Sequence, residues 1–280
     1  MTVAVGLDLG SGAVKTVLFR IENDKTEWLA RRNDKIRQRD PIKLAATAFD
    51  SVLEDAGLEP GQVHYTATTG DGESIRFSTG HFYSMTTHAR GAIFLDPEAR
   101  SLLDMGALHG RAVKMDERGK VLGYRMTSQC ASGSGQFLEN IARYLGIAQS
   151  EIGKLSQQAD DPETVSTICA VLAETDVINM VSRGISGPNI IKGIHLAMAG
   201  RLAKLLRVIK APAGVTLVTG GLALDDGLIA ALQESIEEQK INVTVRSHPD
   251  SPYAGAIGAA LWGVFRYEKL EAEGRFAKAS

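Results

Sequence analysis

Val3-Ala-Val-Gly-Leu-Asp-Leu-Gly-Ser-Gly-Ala-Val-Lys-Thr-Val-Leu-Phe-Arg20 is the stretch on which the fold turns. Two short β-branched runs are joined by a glycine-bearing turn, the pattern of a β-hairpin. Inside it, Asp8-Leu-Gly-Ser-Gly-Ala-Val-Lys15 places a carboxylate at a strand end, then two glycines whose N–H groups can approach an anion, then a cation. Such a set suits Mg2+ and phosphate, because the hard cation takes carboxylate and water oxygens while N–H and ammonium groups take phosphate oxygens. Taken alone, an Asp-Gly turn is also the ordinary way to join two strands.

Working outward, a third strand is expected near Glu27–Ala30. A helix follows, capped by Asp40 with Pro41 at its first position; Ile42, Ala45, Phe49, Val52 and Leu53 repeat at helical spacing until Gly57 stops it. Between them the basic run Lys35–Arg39 reads as a solvated loop. Val63–Thr69 is a further strand, and Gly70-Asp-Gly72 sets a polar loop at its C-terminal end, where α/β proteins often bind ligands. Near residue 100 the pattern begins again: Leu102–Lys114 is strand, Asp-x-Gly turn and strand, and a further strand runs to Met126. Asp8-x-Gly10 is thus echoed by Asp104-x-Gly106. Helices are expected at about 134–146, 148–159, 176–184 and 189–210. A strand at Val215–Thr219, a Gly220-Gly221 turn with a helix through Leu228, a strand at Val243–Arg246 and a last helix from near Tyr253 complete the chain.

Composition narrows the class of function. The chain has 280 residues, 31 Lys+Arg against 33 Asp+Glu and a formal charge of −2, so it lacks the basic footprint of a nucleic-acid binder. No apolar run approaches the roughly 20 residues of a membrane span, and Met1–Gly10 has no basic n-region, so neither membrane nor export is expected and the cytoplasm is the default. The two cysteines, Cys130 and Cys169, are too few for most metal sites. They are left as buried thiols, a redox pair, or half of a site shared between chains.

Two further stretches join the hairpins. Val218-Thr-Gly-Gly-Leu-Ala-Leu-Asp225 ends a strand in paired glycines, a flat backbone for a nucleotide base, and Ala254-Gly-Ala-Ile-Gly-Ala-Ala260 is a helix of small residues. In this order the stretches resemble the actin, hexokinase and acetate-kinase superfamily. That resemblance implies an α/β fold of two duplicated ribonuclease H-like domains around a nucleotide cleft. The expected division is residues 1–97, residues 98–250 with both cysteines, and residues 251–280 as a terminal helix packing back between the two. ATP and Mg2+ are the implied ligands, with Asp8, Asp104 and His109 as catalytic candidates and Gly10, Ser11, Gly12, Lys15, Gly106, Gly220 and Gly221 binding the nucleotide.

Around the cysteines, Gln129-Cys-Ala-Ser-Gly-Ser-Gly-Gln-Phe-Leu-Glu139 sets Cys130 just before a helix start, where free N–H groups stabilise negative charge, and Ile168-Cys-Ala-Val-Leu-Ala-Glu-Thr-Asp-Val-Ile178 sets Cys169 before another. Both resemble the ATP-dependent activator family of 2-hydroxyacyl-CoA dehydratases and benzoyl-CoA reductases. In that family two related subunits share one [4Fe–4S] cluster, each giving two cysteines, which here makes Cys130 and Cys169 the implied metal ligands. His81–Gly91, Asp104–Gly110 and Ser128–Gln136 are closest to the benzoyl-CoA reductase branch. For that branch the resemblance implies a homologous ATPase partner (the A subunit), reduced ferredoxin as electron donor, and ring-reducing B and C subunits as acceptors.

One departure bears on the chemistry. Activators commonly read Gly-Gly-Gln-Asp where this chain has Gly106, Ala107, Leu108 and His109, so groups that could orient an attacking water are replaced. His109 is then a weaker substitute, or the partner performs more of the hydrolysis. A small-molecule kinase would need a general-base Asp that Leu108 and His109 do not provide, and a non-hydrolysing scaffold is the other rival. His88 reads as a helix histidine with a partner of its own in preference to one that faces the cleft, and Glu139 and Glu174 as solvated or capping groups, for which the resemblance also allows a switch contact.

Overall fold

The computed structural model describes residues 1–23, 25–127, 134–166 and 170–275. The chain divides into two compact units: Met1–Pro97 with Arg118–Lys120 and Pro252–Ser280, and Glu98–Glu117 with Val121–Ser251.

In the first unit, β1 (Thr2–Leu9), β2 (Ala13–Glu22), β3 (Lys25–Lys35), β4 (Tyr65–Gly70) and β5 (Gly80–His81) form one sheet in the order β3-β2-β1-β4-β5, with α1 (Pro41–Ala56) and α2 (Ser84–Leu95). The second unit contains β6 (Ala99–Met105), β7 (Gly110–Met115), β8 (Val121–Met126), α3 (Gly135–Tyr144), α4 (Ile152–Ser156), α5 (Ala170–Ser182), α6 (Gly187–Val208), β9 (Gly214–Thr219), α7 (Asp226–Glu238) and β10 (Val243–Arg246). Its sheet runs β8-β7-β6-β9-β10, the same topology. In both sheets the first three strands are antiparallel and the last two join in parallel, β1 to β4 to β5 and β6 to β9 to β10. The repeat inferred from two Asp-x-Gly hairpins therefore extends to every strand. The last helix, α8 (Ala254–Ala272), belongs to the first unit and packs on β1, β2, β4 and α2.

Because α1 covers one face of the first sheet and α8 the other, β1 is buried along its whole length. Burial on both faces requires a continuous apolar run rather than an alternating one, which is how Val3–Leu9 reads. Leu44, Ala48 and Val52 of α1 meet Val5, Leu7 and Leu18 on one side. On the other, Ala256, Ile257 and Ala260 of α8 meet Val17 and Phe19. Each such Leu, Val or Ile contributes about 1.5–3 kcal/mol on burial. β3, at the sheet edge, alternates between exposed and half-buried positions.

The expected ends of α1 hold. Asp40 accepts hydrogen bonds from the N–H groups of Ile42 and Lys43, and Gly57 adopts φ 63°. Such a left-handed residue closes a helix at least cost when it is glycine. Ile42, expected on the buried face, is instead exposed in the first turn. The third strand is longer than the four residues read from sequence, and the basic run leaves it as a loop. Ile36 anchors that loop: it is buried, and its N–H donates to Gly12 O at 3.0 Å.

Several boundaries move. The helix expected at 148–159 is only Ile152–Ser156. The one expected at 176–184 starts at Ala170, because Ala173, Val177 and Met180 continue one buried stripe. The helix after Gly220-Gly221 begins at Asp226 and runs on to Glu238. Leu222–Asp225 turns back on itself first, with Ala223 N–H donating to Gly220 O. α2 and β5, which the sequence reading did not delimit, fill the segment around His88.

A buried polar pin fastens α4, α6 and α7. His195 Nδ1 lies 2.9 Å from Ser156 Oγ, and its Nε2 stands 3.4 Å from Asp225 Oδ2 without forming a hydrogen bond. Asp225 also caps α7, accepting from Leu228 N–H at 3.0 Å. Burial alone would raise the Asp225 carboxyl. The adjacent imidazole and the N–H groups of Leu228 and Gly227 outweigh it and hold the carboxyl below its ordinary value. A lowered carboxyl contributes stability that is present above the unfolded value, about 3.9, and is lost as pH falls through the folded one. Asp225→Asn keeps the cap, since asparagine caps as well as aspartate. It is expected to flatten the loss of stability that sets in below about pH 5 and continues as pH falls past the ordinary carboxylate range, read from urea midpoints. An unchanged acid limb would place the dependence elsewhere.

Candidate functional site

β1 carries Asp8 to the end of the first sheet, where it pairs with Lys15 across the hairpin and with Thr69 on the parallel strand. Both charged side chains are buried, and Lys15 Nζ lies 3.6 Å from Asp8 Oδ2. The turn between them is closed by Gly10 N–H donating to Ala13 O at 3.1 Å, and Ser11 and Gly12 are exposed at its tip. A Cβ on Gly10 would come 3.0 Å from Lys15 Nζ. Gly70, which follows Thr69, has φ +68°, and a Cβ there would meet Leu9 O at 2.4 Å and Asp8 Oδ1 at 3.0 Å. A third wall comes from α8, whose Gly255 leaves room for the Asp8 carboxylate and for His88 Nε2.

The second unit repeats this device residue for residue. Asp104 pairs with Arg111 across the hairpin and with Thr219 on the parallel strand, and Gly220 follows with φ +89°. A Cβ on Gly220 would lie 2.5 Å from Asp104 Oδ1. The counterpart of Lys15 is thus Arg111, and the counterpart of Gly220 is Gly70; sequence reading paired the aspartates and missed both. The signal was present, since a cation stands seven residues after each aspartate. Charge balance differs between the copies. Arg111 donates from Nε at 2.9 Å and from an Nη, both to Asp104 Oδ2. Lys15 stands off from Asp8 at ion-pair distance only.

Gly106 N–H donates to His109 O at 3.0 Å to close the second turn, placing His109 half-buried at its end while Leu108 is exposed. Gly106 O in turn accepts from Gly135 N–H, so the start of α3 rests on this turn. Gly221 is exposed, with nothing within 4 Å of a Cβ placed there. Glu139 is a half-buried helix residue 3.5 Å from Arg143. Cys130 and Cys169 lie outside the described residues. Among the described residues no group of three or more His, Cys, Asp or Glu gathers as a metal site, and no helix is long and apolar enough to cross a membrane.

Asp8, Gly10 and Lys15 thus meet in one unit, and Asp104, Gly106 and Gly220 meet in the other. The donors in the first fit Mg2+ and phosphate: a buried carboxylate oxygen, an ammonium group and a glycine turn without side chains in the way.

Two copies of one ribonuclease H-like unit, each ending its first strand in a buried aspartate faced by a cation, define an α/β protein of the actin and hexokinase type. A ROK hexokinase from Thermus thermophilus shares this architecture over 96% of the chain and 100% of its own, with a TM-score of 0.51 at 15% identity, a likeness of fold alone. The chain belongs to the BadF/BadG/BcrA/BcrD ATPase family, whose profile matches residues 5–263. It is 73% identical to the D subunit of benzoyl-CoA reductase from Thauera aromatica, over 96% of each chain. Among solved structures it resembles the activator of the 2-hydroxyisocaproyl-CoA dehydratase from Clostridium difficile with bound ADPNP. That likeness has a TM-score of 0.87 and 26% identity, and covers 97% of this chain and 98% of the other.

Proposed function

We propose that this chain is the D-type, ATP-binding subunit of a cytoplasmic benzoyl-CoA reductase. In this reading it pairs with a homologous A-type ATPase subunit, accepts electrons from reduced ferredoxin, and passes them to ring-reducing B and C subunits in steps driven by ATP hydrolysis. The observation that carries the reading is the 73% identity to a benzoyl-CoA reductase subunit along nearly the whole of both chains. The 26% identity to a dehydratase activator supports the nucleotide chemistry but favours that substrate less.

Within the chain, Asp8 would hold Mg2+ through its carboxylate. Lys15 and the turn at Gly10, Ser11 and Gly12 would neutralise and cradle the phosphates, and the Gly220-Gly221 backbone would lie against the base. Asp104 is held by Arg111, which makes it the more committed of the two carboxylates. At the second turn Leu108 offers no polar atom to a water, so hydrolysis in the pair falls more to the partner. Cys130 and Cys169 would give two of the four thiolates of a [4Fe–4S] cluster bound between the subunits. When bound, the cluster supplies one-electron transfer at low potential.

Anaerobic co-expression with the homologous subunit tests this. About four iron and four sulfide per pair are expected, halved or worse by Cys130→Ser, with ATP turnover much higher in the pair than in the isolated chain. A pair that binds nucleotide but carries no iron would reduce the reading to a nucleotide-binding scaffold.

A further inference from the structure

We propose that His88 is a positioning residue that holds the Asp8 carboxylate in the orientation needed for a nucleotide-bound cation. The proposal rests on the assignment of Asp8 to that cation. His88 lies on α2, is only 3% exposed, and directs Nε2 to within 3.9 Å of Asp8 Oδ2. Lys15 Nζ approaches the same oxygen to 3.6 Å. Neither contact is a hydrogen bond: Lys15 acts on the carboxylate by its charge and His88 by packing the polar edge of its ring against it, so the carboxylate remains able to accept a tighter partner. Gly255 of α8 closes the remaining side, where a Cβ would stand 2.7 Å from Oδ2 and 2.8 Å from His88 Nε2. The carboxylate is thereby boxed by a cation, an imidazole and bare backbone.

The placement of His88 is itself determined. Its neighbour Thr87 bonds Thr69 through their hydroxyls at 3.0 Å, and Thr69 is the residue opposite Asp8 on the parallel strand. Thr69 Oγ1 also donates to Phe82 O at 2.8 Å, just before α2 begins. The helix is therefore locked in register against the strand that flanks Asp8. Hydrogen-bonded partners of metal-holding groups commonly account for about 10- to 100-fold in metal affinity or activity, and the low end of that range is expected for a contact of 3.9 Å.

The test uses the full chain assembled with its homologous subunit, titrated with free Mg2+ at a fixed low nucleotide concentration and read both by turnover and by equilibrium binding of a non-hydrolysable ATP analogue. His88→Leu is expected to raise the half-maximal Mg2+ concentration about tenfold and to lower turnover, with the thermal midpoint nearly kept. His88→Gln can return a polar atom to the Nε2 position and is expected to recover most of the loss. His88→Asn, too short to reach it, is expected to recover little. In an Asp8→Asn background His88→Leu should add nothing. Wild-type Mg2+ dependence in His88→Leu overturns the proposal, as does equal behaviour of the Gln and Asn variants, a comparison that stands if the Leu variant fails to fold. A wild-type pair inert toward ATP would sink the reading of Asp8 and the proposal together, whereas an active pair indifferent to His88 sinks the proposal alone.

Discussion

Asp8→Asn is expected to lower ATP turnover of the assembled pair by about 100-fold or more. The substitution keeps the shape and removes the charge, and charge is what a hard cation proposed at Asp8 and the ammonium of Lys15 beside it both need. Solvent cannot make up the difference, because the Asp8 and Lys15 side chains are only 6% and 10% exposed. The same burial predicts a cost in stability, since breaking a buried pair from one side strands the other charge, typically at about 3–5 kcal/mol. Loss of activity could then be mistaken for loss of fold. The double variant Asp8→Asn/Lys15→Met separates the two: it removes the stranded ammonium, so it should recover most of the stability and none of the turnover. Turnover of Asp8→Asn within a few-fold of wild type, in a folded pair, would remove Asp8 from the chemistry.

Gly258→Ala is expected to destabilise the protein by about 3 kcal/mol, measured by denaturant unfolding. In an ordinary helix position the same change would help by about 1 kcal/mol, because alanine is the better helix former. At 258 a Cβ would lie 1.8 Å from Thr87 O, so α8 and α2 would have to separate by more than an ångström. The crossing has no slack elsewhere, since a Cβ on Gly91 would lie 2.0 Å from Ala254 O and one on Gly6 2.0 Å from Ala256 O. Steric cost wins. Gly200 in α6 is the internal control: nothing lies within 4 Å of its Cβ position, so Gly200→Ala should stabilise by about 0.5–1 kcal/mol. Equal effects at the two sites would mean that α8 does not touch α2 as closely as these distances require. Gly258→Ala also pushes on the residue next to His88, so any folded fraction should show a raised Mg2+ requirement.

Some of this molecule was legible without coordinates. The Val3–Arg20 hairpin, the caps of α1 at Asp40 and Gly57, the strand Val243–Arg246 and the echo of Asp8 by Asp104 all rest on local signals: side-chain periodicity, turn glycines and capping residues. Helix limits between residues 148 and 238 were read less well, because there the boundary is set by which apolar residues find the core of the second unit. The pairs Asp8 with His88, Thr87 with Thr69, Gly258 with Thr87 and His195 with Asp225 were not legible at all.

The sequence by itself determined the repeated hairpin, the class of fold and the residue types gathered at each turn. Tertiary structure alone decided which of those residues face one another. It set Lys15 at arm's length from Asp8 and Arg111 hard against Asp104, and brought α2 and α8 over the first hairpin through three glycine contacts. The physical reason is range. A turn or cap is stabilised by neighbours in the chain, whereas the environment of a buried carboxylate is fixed by elements that meet only after the sheet has formed.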